Sequence, residues 1–113
     1  MRENVIMKTI EDLKDRGKLS GVDVANIADV SKATVSRWTT GKATPHPKTQ
    51  LVLSDLRYVV DRLGEFYDPA ETRVWLYARN ELLDGARAIE LIHEGRTDEV
   101  LQAIERLGAL TYL

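Results

Sequence analysis

Residues 29–41 read DVSKATVSRWTTG, and the fold turns on how this stretch is read. Ser31 is a small hydroxyl residue of the kind that caps a helix by accepting a bond from a free backbone N–H. The eight residues after it place Val35 and Trp38 on one side, together with Val30, and Lys32, Ala33, Thr34 and Arg37 on the other. The pattern predicts a short helix over 32–39, ended by Gly41.

Immediately upstream, Val22, Val24, Ala25, Ile27 and Ala28 predict another short helix, with a turn at Val30-Ser31. Two short helices joined by a tight turn are the elements of a helix-turn-helix, whose second helix enters the major groove with its N-terminal residues toward base edges. Arg37 has the planar fork that bonds two acceptors on guanine. Lys32 and Lys42 suit phosphates, because an ammonium is a point charge, and Ser36 is small enough to approach one. An ordinary helical hairpin with a core tryptophan fits the same spacing.

Charge bears on the choice. The chain has 113 residues and a formal net charge of -2. Residues 1–50 hold nine Lys/Arg against six Asp/Glu, a net of +3, and residues 51–113 hold seven against twelve, a net of -5. Between Asp29 and Asp55 there is no acid, while Lys32, Arg37, Lys42, His46 and Lys48 fall in that interval. One local face can therefore attract phosphate on a molecule that repels it at long range.

Outward from there, almost everything reads as helix. Val5, Ile6, Ile10 and Leu13 form a stripe that predicts a first helix over about 3–16, closed by Gly17. KATPHPKTQ reads as a loop. Leu51, Val52, Leu56, Val59, Val60 and Leu63 predict a longer helix over about 48–64. Asp68-Pro69-Ala70-Glu71 is a start signal, with Asp68 as cap, Pro69 first in the helix and Glu71 completing a capping box. The helix it starts presents Val74, Trp75 and Ala78, with Trp75 expected in the core. A turn over Asn80–Gly85 leads to a helix with Ala88, Ile89, Leu91 and Ile92, stopped by Gly95. Thr97 caps a last helix carrying Val100, Leu101, Ile104 and Leu107, ended by Gly108. No strand pair is expected. The absence of cysteine excludes a disulfide framework, and His46 and His93 have no ligand-like spacing, so no metal and no cofactor is expected. No apolar run approaches a membrane span and the N-terminus does not read as a signal peptide, so a cytoplasmic location is expected. No nucleophile motif, phosphate loop or metal cluster suggests an enzyme.

Val30 to Gly41 resembles the recognition segment of Xre-type, phage-repressor-like helix-turn-helix proteins, of pattern V-S-x-x-T-[IV]-S-x-W-x-x-G. Where that family has a glutamine early in the preceding helix and a glycine in the turn, this chain has Gly21 and Asp29. Val74 to Gly108 resembles the Xre/MbcA/ParS toxin-binding domain: Trp75, Leu76, Asn80, Leu83, Gly85, Leu91, Ile92, Gly95, Val100 and Ile104 match in order, with Arg79 and Ala88 in place of two prolines. The resemblance implies an all-α antitoxin of a RES–Xre toxin–antitoxin pair, with a helix-turn-helix domain over 1–66 and a toxin-binding domain over 67–113. Its partners would be a NAD-degrading RES toxin, whose active site it occludes, and operator DNA, through which the pair represses its own operon. A homodimer would match a two-fold operator.

Under this reading Lys32, Ala33, Thr34, Ser36, Arg37 and Lys42 contact DNA. Arg79, Asn80, Arg87, Leu110, Thr111, Tyr112 and Leu113 contact the toxin. The apolar end could instead fold onto its own core or pad a dimer, Arg79 and Arg87 could be merely solvated, and Asn80 is expected to cap its turn. The rival reading is a transcriptional repressor whose C-terminal half only dimerises or senses a ligand.

Overall fold

A computed structural model describes residues 4–111. It is all-α apart from one minimal strand pair: α1 (Val5–Gly17), α2 (Gly21–Ala28), α3 (Lys32–Thr39), α4 (Pro47–Leu63), α5 (Pro69–Tyr77), β1 (Arg79–Asn80), a 3-10 turn (Glu81–Leu83), β2 (Ala86–Arg87), α6 (Ala88–His93) and α7 (Thr97–Thr111). Among the described residues no helix is long and apolar enough to cross a membrane, and no group of metal-ligating side chains is found.

The helix starts follow the local chemistry. Asn4 caps α1 by accepting from the Met7 amide at 2.8 Å, and Ser31 caps α3 by accepting from the Thr34 amide at 3.1 Å. Asp68 and Glu71 form the expected capping box on α5, with Pro69 first in the helix. α3 occupies the expected residues, and Gly41 takes a positive φ of 76° just beyond it.

Several boundaries differ from expectation. Gly17 does not close α1 by its backbone, since the left-handed residue is Lys18 (φ 53°). Gly17 is needed for space: a Cβ there would lie 3.2 Å from Val60 Cγ2, where α1 packs on α4. Gly108 does not end α7, which runs on to Thr111. A Cβ at Gly108 would lie 3.2 Å from Phe66 Cζ, so the helix crosses the ring closely. Thr97 is the first residue of α7 and its hydroxyl donates to Asp55 Oδ2 at 3.1 Å, tying α7 to α4. β1 and β2 pair antiparallel, Arg79 with Arg87 and Asn80 with Ala86, where no strand was expected. Two residues per strand leave no alternation to read.

The core is continuous. Ile6, Ile10 and Leu13 of α1, Val24 and Ile27 of α2, Val35 and Trp38 of α3, and Leu53, Leu56, Val60 and Leu63 of α4 form one cluster with Leu76, Leu91, Ile92, Val100 and Ile104 from the second half. Within it α5 packs on α1 and α7 on α4. Residues on either side of position 66 thus share an interior, and burying apolar area at about 25 cal/mol per Å² acts on both together. The α4 stripe is shifted from expectation: Leu53 is fully buried and Leu51 exposed, because 53, 56, 60 and 63 keep the 3–4 spacing of one face and 51 does not. Val5 and Val22 likewise face solvent. Asp12, buried on α1, meets Lys8 Nζ at 3.2 Å and Arg57 at 3.0 Å, with Arg16 at 3.8 Å, so cations from α1 and α4 offset its charge.

Candidate functional site

α3 presents a polar outer face because its apolar residues are spent inward. Val35 and Trp38 are buried, as expected for Trp38. Lys32, Ala33, Ser36 and Arg37 are exposed, Thr34 is half-buried, and Lys42 is exposed just past the helix end. A chain of hydroxyls organises this face. Ser31 Oγ lies 3.0 Å from Thr34 Oγ1, which accepts from Arg37 Nη2 at 3.1 Å. Lys42 is held near the helix because its amide donates to the Arg37 carbonyl at 2.9 Å. Among the described residues no carboxylate forms an ion pair with Lys32, Arg37 or Lys42.

The turn ahead of α3 accounts for Asp29, which stands where a glycine was looked for. Asp29 has φ 56°, the left-handed conformation that Asp and Asn tolerate better than other side chains. Its carboxylate is not idle: His93 Nε2 of α6 lies 2.9 Å from Oδ2 and 3.0 Å from Oδ1.

A second face lies on α5. Thr72 and Leu76 point into the core, which leaves Ala70, Val74 and Ala78 outside and Trp75 half-buried. Trp75 packs against the edge of the core, half-buried rather than enclosed. It lines a groove of about 730 Å³ with Tyr67, Val74, Leu82, Arg79 and Asn80. Val74 is 66% exposed there. Tyr67 stacks edge-on against Phe66 at 6.5 Å between ring centroids, and Phe66 is the ring that α7 crosses at Gly108. The aromatic pair therefore joins the groove to α7 at Gly108; Leu110, two residues further along the helix, is 58% exposed. Thr111 is the last residue of that helix, and Tyr112 and Leu113 lie outside the described residues.

Arg79, Asn80 and Arg87 come together at the strand pair. Arg79 donates to the Gly85 carbonyl at 3.2 Å, and Arg87 Nε to the Tyr77 carbonyl at 3.0 Å, with a second nitrogen 3.1 Å from Glu90. Asn80 caps the 3-10 turn by accepting from the Leu82 amide at 2.9 Å, as expected. The two arginines hold the turn's shape as well as lining its surface.

Between the two faces sits a cluster that the sequence did not single out. Asp23 Oδ2 accepts from the Ser20 amide at 2.7 Å and the Ser20 hydroxyl at 2.9 Å, a capping box on α2. Arg73 reaches the same carboxylate at 2.5 and 3.3 Å, and the Tyr77 hydroxyl donates to Oδ1 at 2.8 Å. The Arg73 guanidinium stacks 4.7 Å over the Tyr77 ring. Burial alone would raise the Asp23 carboxyl; the bonds from Arg73, Ser20 and Tyr77 outweigh it and bring it down to about 2. Burial, reinforced by the bond to Asp23, pushes the Tyr77 phenol up to about 12. Ser20-x-x-Asp23 was a readable local signal, but nothing local pairs Asp23 with residues fifty positions on.

No model of a known protein family matches the chain. It is 31% identical over 108 residues to the mycobacterial cidal antitoxin MbcA of Mycobacterium tuberculosis and of Mycobacterium bovis, covering 96% of each chain. It is 35% identical over 96 residues to a probable mycobacterial cidal antitoxin of M. tuberculosis, covering 85% of this chain and 81% of that one. Among solved structures it matches the crystal structure of the M. tuberculosis MbcT–MbcA toxin–antitoxin complex with a TM-score of 0.80 and 31% identity, over 91% of this chain and 93% of that one.

Proposed function

The chain belongs to the MbcA antitoxin family, and from that premise we propose that it binds a RES-domain, NAD-degrading toxin, occludes its active site and represses its own operon through a helix-turn-helix formed by α2 and α3. The observation that carries the toxin-binding part is the apolar strip along the α5 groove, where Tyr67, Val74 and Trp75 lie together and Val74 is 66% exposed. A strip of this kind costs free energy in water and gains it against a partner. Aromatic anchors flanked by arginines are the composition that dominates binding energy at such surfaces. Leu110 and the residues after it enter the mouth of the toxin pocket, while Val74 and Trp75 seat against its rim; Arg79, Asn80 and Arg87 present the adjoining turn. The C-terminal half, with its net of -5, suits a basic nucleotide-binding partner.

The DNA-reading part rests on the exposed face of α3. Arg37, aimed by Thr34, reads a base pair; Lys32 and Lys42 grip phosphates, Ser36 approaches a phosphate, and Ala33 lies against the groove floor. Two copies of the chain supply the paired helices of a two-fold site.

The test is co-expression with the product of the neighbouring reading frame. The full chain should co-purify with it and restore growth. Val74→Glu, and separately removal of residues 109–113, should each abolish rescue while the protein still binds the promoter duplex. Rescue that survives both changes sinks the proposed surface.

A further inference from the structure

α2 is fastened to the C-terminal half at both of its ends, and neither fastening is needed to make the helix. At its start, a capping box requires only Ser20 and one carboxylate oxygen. Asp23 Oδ2 meets that requirement with the Ser20 amide and hydroxyl. The other oxygen, Oδ1, is given over to α5: the Tyr77 hydroxyl at 2.8 Å and Arg73 Nη2 at 3.3 Å. Arg73 Nη1 also reaches Oδ2, and donates to the Lys18 carbonyl at 3.2 Å, so it bridges the end of α1 to the start of α2. At its finish, Asp29 ends the helix in a left-handed conformation, and its carboxylate turns to His93 of α6.

Between the two fastenings α2 and the C-terminal half part to leave a cleft of about 340 Å³, lined by Asn26, Ile27, Tyr77 and Ile89. Val24 and Ile27 seat α2 in the shared core, and the polar contacts at its two ends bracket the cleft on this side. α2 in turn is a main packing partner of α3, and only Val30 separates Asp29 from Ser31, the cap of α3.

We infer that Arg73, Tyr77 and His93, all in the C-terminal half, are positioning residues for DNA reading: they fix the pose of α2 and through it the pose of the recognition face on α3. The inference rests on the DNA-reading role proposed above. The two links differ in weight. The Asp29–His93 pair is largely exposed, and pairs of that kind contribute little by themselves. The Asp23 cluster is part-buried and geometrically over-determined, so it sets the pose and the histidine trims it. A base reader displaced by even a fraction of a hydrogen-bond length loses its fork geometry, whereas phosphate contacts tolerate small shifts.

The test uses the full chain and a duplex taken from the promoter ahead of its own reading frame, with a scrambled duplex of equal length beside it. Tyr77→Phe removes one donor to Asp23 and keeps the ring and its stacking. His93→Ala removes the second link, and His93→Gln keeps a donor within reach of Asp29. The Tyr77→Phe/His93→Ala double variant should lose selectivity for the promoter duplex by about fivefold or more. The salt dependence of binding should stay unchanged, since no phosphate contact is removed. His93→Gln should recover most of what His93→Ala loses, and amide resonances from Val30 to Arg37 should shift in the double variant. A double variant that melts earlier but keeps the wild-type selectivity and the wild-type amide resonances of α3 overturns the inference, because the links would then be structural only. A wild-type chain that does not distinguish the two duplexes sinks the DNA-reading role itself, and the positioning claim with it.

Discussion

Asp23 has a carboxylate shared between its own helix and α5, and that sharing leaves a signature in pH. Its folded carboxyl sits at about 2 against an ordinary 3.8, so the stabilisation is present above pH 4 and is lost as pH falls toward 2. The difference amounts to about 2 kcal/mol. Tyr77 acts at the other extreme: its folded phenol is raised to about 12, so its contribution is full below pH 10 and disappears as pH climbs to 12. In urea melts, the stability gap between wild type and Asp23→Asn should narrow between pH 4 and pH 2, and that for Tyr77→Phe between pH 10 and pH 12. Gaps that stay constant across those windows would show that the charges on this cluster do not couple to folding. Little of the cluster was legible from the sequence. Capping boxes are local and can be read from spacing, but Arg73 and Tyr77 meet Asp23 only because α5 packs on α1 beside the start of α2. Trp75 meets the core only in part: Leu76 beside it takes the fully buried position, and the indole also borders the groove.

At the scale of elements, two glycines read as helix stops are close-approach sites, and they should respond oppositely to alanine. At Gly17 a new methyl would press on Val60, which is walled in by the core at 1% exposure. Gly17→Ala is expected to cost about 1 kcal/mol or more through overpacking. At Gly108 the obstacle is the far end of the half-exposed Phe66 ring, which can swing aside, and α7 continues through the position. Gly108→Ala should raise stability by about 0.5 kcal/mol through helix propensity. Calorimetric Tm values moving the same way would contradict one of the two packing accounts. Where stop and start chemistry is strictly local, sequence reading served well: Ser31 ahead of α3 and Asp68-Pro69 ahead of α5 act as read. It failed where the deciding neighbour is distant, as at Gly17, or where an element is too short for any period, as in the strand pair.

On the scale of the molecule, an acidic chain can grip DNA only through a segregated face, and the segregation seen in the sequence survives folding on α3. Two substitutions separate the kinds of contact. Lys32→Ala should weaken binding to any duplex and lower the magnitude of the salt slope by about 1. Arg37→Ala should cost about 1–3 kcal/mol at one base pair and leave other sequences nearly untouched. Anisotropy titrations over a salt series measure both, and identical behaviour of the two variants would reject the division of labour on α3.

The single interior has one more consequence, for turnover. Leu76, Ile92 and Ile104 close the same core as Ile10 and Leu13, so neither half keeps a complete interior once the chain is severed. A single proteolytic nick near Gly64 should therefore unfold both halves together, with one cooperative loss of structure rather than the survival of either half as a folded fragment.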